Sequence, residues 1–273
     1  MSLLPVFVVS LARAAERRAR MVEHLQSIGV VYRVIDAVDG GAIPESERNA
    51  LTGPGVRLHP GAIGCYLSHL EIYRQMVDEG ISAALVLEDD ARLHPAFAAV
   101  LRDGLTSTDF DYCFLDSDDH NDRVNIYYDR DDAVPVAGNL LAHKLSGGPQ
   151  TTHAYIITLD AAGRRLDAAF PIMRSIDLYD HLPYAICFRA IVSPKMAWVS
   201  ADSMVSFTSS KSGSADGLSF TRLRSSPHFY RIRDALKLKG LRRRREAARM
   251  VRAGLLLRGR RWAPLPSGRE VVL

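Results

Sequence analysis

Ile81-Ser-Ala-Ala-Leu-Val-Leu-Glu88-Asp89-Asp90-Ala-Arg-Leu93 decides how the rest of this 273-residue chain is read. Ala83 to Leu87 is an apolar run too short to span a membrane and of the right length for a strand buried on both faces. It stops at three consecutive carboxylates. In open α/β sheets ligands gather beyond the carboxyl ends of strands, which places Glu88, Asp89 and Asp90 at the mouth of such a crevice. Two carboxylates one residue apart can face a hard divalent cation together, and that cation can hold a diphosphate. The plainer alternative is a strand followed by a solvated acidic turn.

Working outward, the segment before this strand has helical periodicity from Gly61 to Glu79, with Ile63, Leu67, Leu70 and Val77 on one side, Ser68 and His69 inside it, and Gly80 as terminator. Further upstream, Val6 to Ser10 is a first buried strand. A helix carrying Met21, Leu25 and Ile28 follows, and Val30 to Ile35 is a second strand leading into Asp36-Ala-Val-Asp39-Gly40-Gly41. The unit is β-α-β. Its first turn lacks a glycine-rich phosphate fingerprint, so a dinucleotide-binding Rossmann domain is not indicated. Arg13 and Arg17, at i and i+4, lean either toward a phosphate at the strand's end or simply into solvent. Glu45 to Leu51 is a short helix in a polar loop.

Downstream, the sequence predicts a helix over Pro95 to Leu101 and a strand over Asp111 to Leu115. A second acidic run, Asp116-Ser-Asp118-Asp119, reads as an exposed, solvated loop. Val124 to Tyr128 and Val134 to Leu145 are strand or hairpin arms. Gly147 and Gly148 are placed to let backbone approach a ligand, ahead of a strand with His153 and Tyr155. A helix spans Asp160 to Phe170. Ser175 is an expected N-cap with Asp177 in the first turn, where an acid offsets the helix dipole. Ala185 to Val192 and Met196 to Ser200 close the sheet.

Charge divides the chain. Arg231 to Arg261 holds 13 Lys/Arg against Asp234 and Glu246, although the whole chain is only +4. A mildly acidic body therefore carries a basic C-terminal stretch. After a Ser/Gly-rich segment over Ser203 to Ser226, read as mobile, this stretch is periodic enough for a basic amphipathic helix suited to an anionic membrane surface. Aromatic stacking residues are few there, which sets nucleic acid aside as a partner. Cys65, Cys113 and Cys187 are scattered and odd in number, which favours buried thiols in a reducing compartment over disulfides or structural zinc. The expected location is cytoplasmic and peripheral on the inner membrane.

Several of these pieces recur in a known order. Val8-Val9-Ser10-Leu11 with Arg13 and Glu16-Arg17, Asp36-Ala-Val-Asp39-Gly40, Gly61-Ala-Ile63-Gly64-Cys65-Tyr66-Leu67-Ser68-His69, Leu85-Val86-Leu87-Glu88-Asp89-Asp90 and His153-Ala154-Tyr155-Ile156 together make the chain resemble glycosyltransferase family 25. That family comprises lipopolysaccharide and lipooligosaccharide β-galactosyltransferases and includes collagen galactosyltransferases. The likeness covers roughly residues 5 to 200. It implies an α/β, GT-A-like nucleotide-sugar-binding fold over residues 1–210, with a mainly parallel central sheet flanked by helices. Residues 211–273 form the appended mobile segment and basic helix.

The resemblance further implies a UDP-sugar donor, a glycan or glycolipid acceptor, a divalent cation such as Mn2+, and inversion at the anomeric carbon. Asp90 is the expected metal ligand, assisted by Glu88 or Asp89. Ser10, Leu11, Arg13, Arg17, Asp39, Ser68, His69, Glu88, Asp89, Gly148, His153 and Tyr155 are the expected donor contacts. Asp177 is the expected base, with Asp180 and then Asp116 as alternatives. Two departures stand out: Ser10 where the family usually has asparagine, and Ala62 where glutamate is common.

Overall fold

A computed structural model of the chain describes residues 3–116, 126–200 and 262–264. In chain order the elements are β1 (Val6–Ser10), α1 (Ala15–Ser27), β2 (Arg33–Asp36), α2 (Glu45–Leu51), α3 (Pro60–Glu79), β3 (Ala83–Glu88), β4 (Ala91–Leu93) and α4 (Phe97–Asp103). They continue as β5 (Tyr112–Phe114), β6 (Tyr127–Ala137), β7 (Leu140–Leu145), β8 (Ala154–Thr158), α5 (Leu159–Asp167), β9 (Phe188–Ile191), β10 (Ala197–Val199) and β11 (Trp262–Pro264). Nine strands form one mixed sheet in the order β11-β6-β7-β9-β5-β8-β3-β1-β2, and β4 pairs with β10 in a separate ribbon. β1 runs parallel to both β2 and β3, and β5 parallel to β9, while β8 lies antiparallel between β3 and β5. The α/β architecture read from the sequence is present.

The apolar runs of β1 and β3 are continuous because both faces are covered. Val6, Val8, Leu85 and Leu87 pack with Met21 and Leu25 of α1 and Phe97 and Leu101 of α4. Their alternates, Phe7, Val9, Ala84 and Val86, pack with Ile63, Tyr66, Leu70 and Tyr73 of α3 and Ala161 and Ala162 of α5. Each fully buried Leu or Val contributes about 1.5–3 kcal/mol, so these two strands anchor the centre of the fold. α3 starts on Pro60 with the His59 Nδ1 accepting from the Gly61 N–H at 3.1 Å, and it ends at Gly80 as predicted.

Several boundaries differ from the sequence expectations. The second strand begins at Arg33 rather than Val30, because the Val30 N–H is used to close α1 on the Leu25 carbonyl. The arm expected over Val134 to Leu145 is two strands. Gly138, at φ +51°, turns the chain between β6 and β7, which pair antiparallel. No helix follows Ser175. Its hydroxyl donates instead to Asp177 Oδ1 at 2.6 Å, and the Leu178 N–H returns to the Ser175 carbonyl at 3.1 Å, which closes a turn. The dipole role considered for Asp177 therefore has no helix to act on. The segment Ser203 to Ser226 and the basic amphipathic helix expected within residues 211–273 lie outside the described residues, as do Asp118 and Asp119.

Candidate active site

The parallel strands β2, β1 and β3 deliver their carboxyl ends to one edge, and a cleft of about 310 Å³ opens there. Ser10, Leu11, Arg13, Arg17, Asp39, Ser68, Glu88, Asp89 and Asp90 all line it, as does Cys65. Nine of the expected donor and metal residues thus converge from segments far apart in the chain. The wall formed by Val38 to Gly41 sits directly on α3. A Cβ on Gly40 would overlap the Pro60 carbonyl, and one on Gly64 would overlap the Val38 carbonyl. Ser68 completes this contact: its Oγ donates to the Gly64 carbonyl at 2.6 Å and accepts from the Val38 N–H at 2.8 Å. Ser68 is thus a brace for the cleft wall.

The three carboxylates at the end of β3 have different surroundings. Asp89 is buried, accepts from Ser10 Oγ at 2.7 Å and is ion-paired to Arg17. It locks β3 to the β1–α1 turn, which makes it a poor metal ligand. Arg17 also reaches Asp90 Oδ2 at 3.2 Å. Arg13 grips Asp39 with two hydrogen bonds, 2.7 and 3.3 Å, and this pairing holds the Asp39 carboxyl below its usual range. Both arginines therefore face internal carboxylates, which corrects the picture of a plain solvated face. Glu88 turns toward α3, where it accepts from Thr152 Oγ1 and lies 3.6 Å from His69 Nε2. Burial raises its pKa, but His69 and the Thr152 hydroxyl more than offset that and hold it at about 2. Glu88 is a carboxylate at any ordinary pH.

His69, Gly148, His153 and Tyr155 stand outside the cleft lining. His69 is fully buried, with Nδ1 2.7 Å from the Tyr155 hydroxyl, which is 2.8 Å from that of Tyr73. Gly148 makes its close approach to the rings of Tyr179 and Phe188 rather than toward the cleft. The His153 imidazole bonds Asp116 Oδ2 at 2.8 Å through Nε2 and Thr151 Oγ1 through Nδ1, while its carbonyl accepts from the Glu88 N–H. Asp116, expected in a solvated loop, is fully buried and also pairs with Lys195 at 3.1 Å. Just past the end of β5, it is enclosed with His153 and Lys195 and so removed from water.

Asp177 and Asp180 are not among the residues that line the cleft. The thiol of Cys65 is pushed far up by burial and then by the charges of Glu88, Asp177 and Asp90. The turn carrying Asp177 is held from beneath by Arg165, whose Nη2 donates to the Ile176 carbonyl at 3.0 Å amid the rings of Tyr66 and Tyr179. Asp180 is mostly exposed and faces Arg174 at 3.8 Å. Cys65, Thr152 and Arg165 were not singled out as site residues. Cys65 had a signal, its place in the Gly64-Cys65-Tyr66-Leu67-Ser68-His69 run, whereas Thr152 and Arg165 act through tertiary contacts that no local pattern displays.

Hard oxygen donors on Glu88 and Asp90, both in the cleft lining, fit a divalent cation of the Mn2+ or Mg2+ type. The family description Glycosyltransferase family 25 (LPS biosynthesis protein) matches residues 3–179. The chain belongs to glycosyltransferase family 25. This family 25 chain is 33% identical over 196 residues to probable inactive glycosyltransferase 25 family member 3 of Rattus norvegicus, a match covering 65% of this chain and 32% of that one. It is 29% identical over 191 residues to procollagen galactosyltransferase 2 of Homo sapiens, covering 65% and 29%. The match thus spans about a third of the length of these curated relatives. The crystal structure of HddC from Yersinia pseudotuberculosis aligns over 69% of the family 25 chain and 89% of its own, at 13% identity and a TM-score of 0.36.

Proposed function

We propose that the chain is an inverting, metal-dependent glycosyltransferase that moves a hexose, galactose from UDP-galactose, onto a hydroxyl of a bacterial surface glycan such as lipopolysaccharide or lipooligosaccharide. A cleft at the carboxyl ends of parallel strands, lined by Glu88 and Asp90 together with Arg13 and Arg17, carries this reading. Glu88 and Asp90 hold the cation. When bound, it offsets the charge of the departing diphosphate. Arg17, already fixed by Asp89 and Asp90, presents its guanidinium to the same diphosphate, and the Arg13–Asp39 pair borders the nucleoside side of the cleft.

Asp177 is the base. Ser175 occupies Oδ1, which leaves Oδ2 to take the proton of the acceptor hydroxyl. The acceptor oxygen forms its bond to the anomeric carbon from the face opposite the diphosphate as the bond to the diphosphate breaks, so the configuration inverts. Asp180 is the alternative base. The basic stretch of residues 231–261 holds the protein on the anionic inner leaflet, where a lipid-linked acceptor lies, and places it on the cytoplasmic side.

A second reading is a non-catalytic, glycan-binding relative, favoured by the relatives from Rattus norvegicus, Bos taurus and Homo sapiens that are named inactive. Thermal unfolding with Mn2+ and a panel of nucleotide sugars, with and without chelator, separates the two, because a ligand that binds the folded state raises its stability. A chelator-sensitive shift largest with UDP-galactose is the expected result. No shift with any nucleotide sugar favours the second reading.

A further inference from the structure

At the floor of the cleft, where α3 passes β3, the Cys65 thiol, the His69 imidazole and the Glu88 carboxylate each offer one ligand atom, all within 4.8 Å of one another. Cys65 and His69 are four residues apart on the same helix and project to the same side. The His69 ring is fully buried, and its Nε2 has no hydrogen-bond partner while lying 3.6 Å from Glu88 Oε1. The other ring nitrogen is occupied: Nδ1 is engaged by the Tyr155 hydroxyl, itself fixed by Tyr73, so a cation at the cluster meets Nε2 in place of the hydrogen that faces Glu88. A hydrogen-bonded partner behind a ligating imidazole is the arrangement that orients it for a metal.

We propose that Cys65, His69 and Glu88 form a binding site for a thiophilic divalent cation such as Zn2+, set beneath the hard-cation position and sharing Glu88 with it. Thiolate, imidazole and carboxylate in a three-ligand set that leaves a fourth position open to the cleft match Zn2+ and its substitute Co2+, not Mn2+ or Mg2+. Metal-to-ligand bonds of about 2.0–2.3 Å place tetrahedral ligand atoms roughly 3.4–3.8 Å apart, so the pair of His69 and Glu88 already has the right spacing and the cluster closes by about an ångström. On binding, the sulfur–metal bond forms as the thiol proton leaves to solvent. Asp90 and Asp177, whose charges reach Cys65, favour an incoming cation. Because Glu88 serves both positions, zinc opposes manganese here and throttles the enzyme.

The test is Co2+ titration of the full-length, chelator-stripped protein. A thiolate-to-cobalt charge-transfer band in the near ultraviolet, removed by Zn2+, is expected. The band persists in Cys187→Ser and is lost in both Cys65→Ser and His69→Gln; either variant suffices if the other fails to fold. Absence of the band from the unaltered protein, or its survival in Cys65→Ser, overturns the site. Saturating Zn2+ is further expected to lower Mn2+ binding followed by the electron paramagnetic resonance of the free ion, and undiminished Mn2+ binding overturns the sharing of Glu88. No nucleotide sugar enters the cobalt measurement. A protein that fails to bind Mn2+ from the outset counts against the proposed transferase, whereas a missing cobalt–thiolate band counts against this site alone.

Discussion

Glu88, Asp89 and Asp90 occupy consecutive positions and do three different jobs, because the strand's alternation and the turn that follows aim them apart. Asp89 is structural. Removing its cation, as in Arg17→Met, leaves a buried carboxylate held only by Ser10 and is expected to cost about 3 kcal/mol in chemical denaturation. Glu88 titrates at about 2, below its ordinary 4.5. A depressed carboxyl pKa gives stability that is complete above the unfolded value and is lost as pH falls through the folded one. In metal-free protein, the stability gap between wild type and Glu88→Gln should therefore narrow between pH 4.5 and about 2; a gap that stays constant over that window would count against the His69 and Thr152 account. Asp177→Asn should leave chelator-sensitive UDP binding intact and lower transfer by about 10²-fold or more, as the loss of a general base does. Near-normal transfer by that variant would shift the role to Asp180.

The elements around the cleft show what a sequence can and cannot disclose. β1, α1, α2, α3 and β3 were legible because their signals are local: apolar runs, helical periodicity and a glycine stop. The placing of Glu88 at a strand's end was legible from the α/β pattern and that of Ser10, Arg17 and Asp39 from the family resemblance; the parallel strands explain why they share one edge. What stayed hidden depends on tertiary partners. A serine followed by an acid two residues on reads as a helix start, and here the same pair closes a turn held by Arg165. Asp116 looked solvated because the chain after it is polar, while His153 and Lys195 come from β8 and the approach to β10. At this scale the contact between α3 and the 38–41 segment is the sensitive joint. Gly64→Ala should cost about 1–3 kcal/mol by overpacking and widen the cleft wall, measurable as a lower Tm together with weaker nucleotide-sugar binding. A variant as stable as wild type would mean that the wall yields without effect on the fold.

Across the whole molecule, an acidic cleft belongs to a chain whose basic charge is concentrated in residues 231–261. No helix among the described residues is long and apolar enough to cross a membrane; the membrane contact in the proposed function is electrostatic. Replacing Arg242, Arg243, Arg244 and Arg245 with Gln should release the protein from anionic vesicles, at about 1 kcal/mol per charge, while sparing turnover on a soluble acceptor. Unchanged vesicle binding would end the electrostatic account. Substitution is the better tool than truncation, and the reason is β11. That short strand follows the basic stretch and closes the sheet beside β6. Cutting the chain ahead of it would bare a row of backbone donors and acceptors along β6, a template on which a second copy can pair. A protein trimmed there to make it more soluble would tend instead to clump.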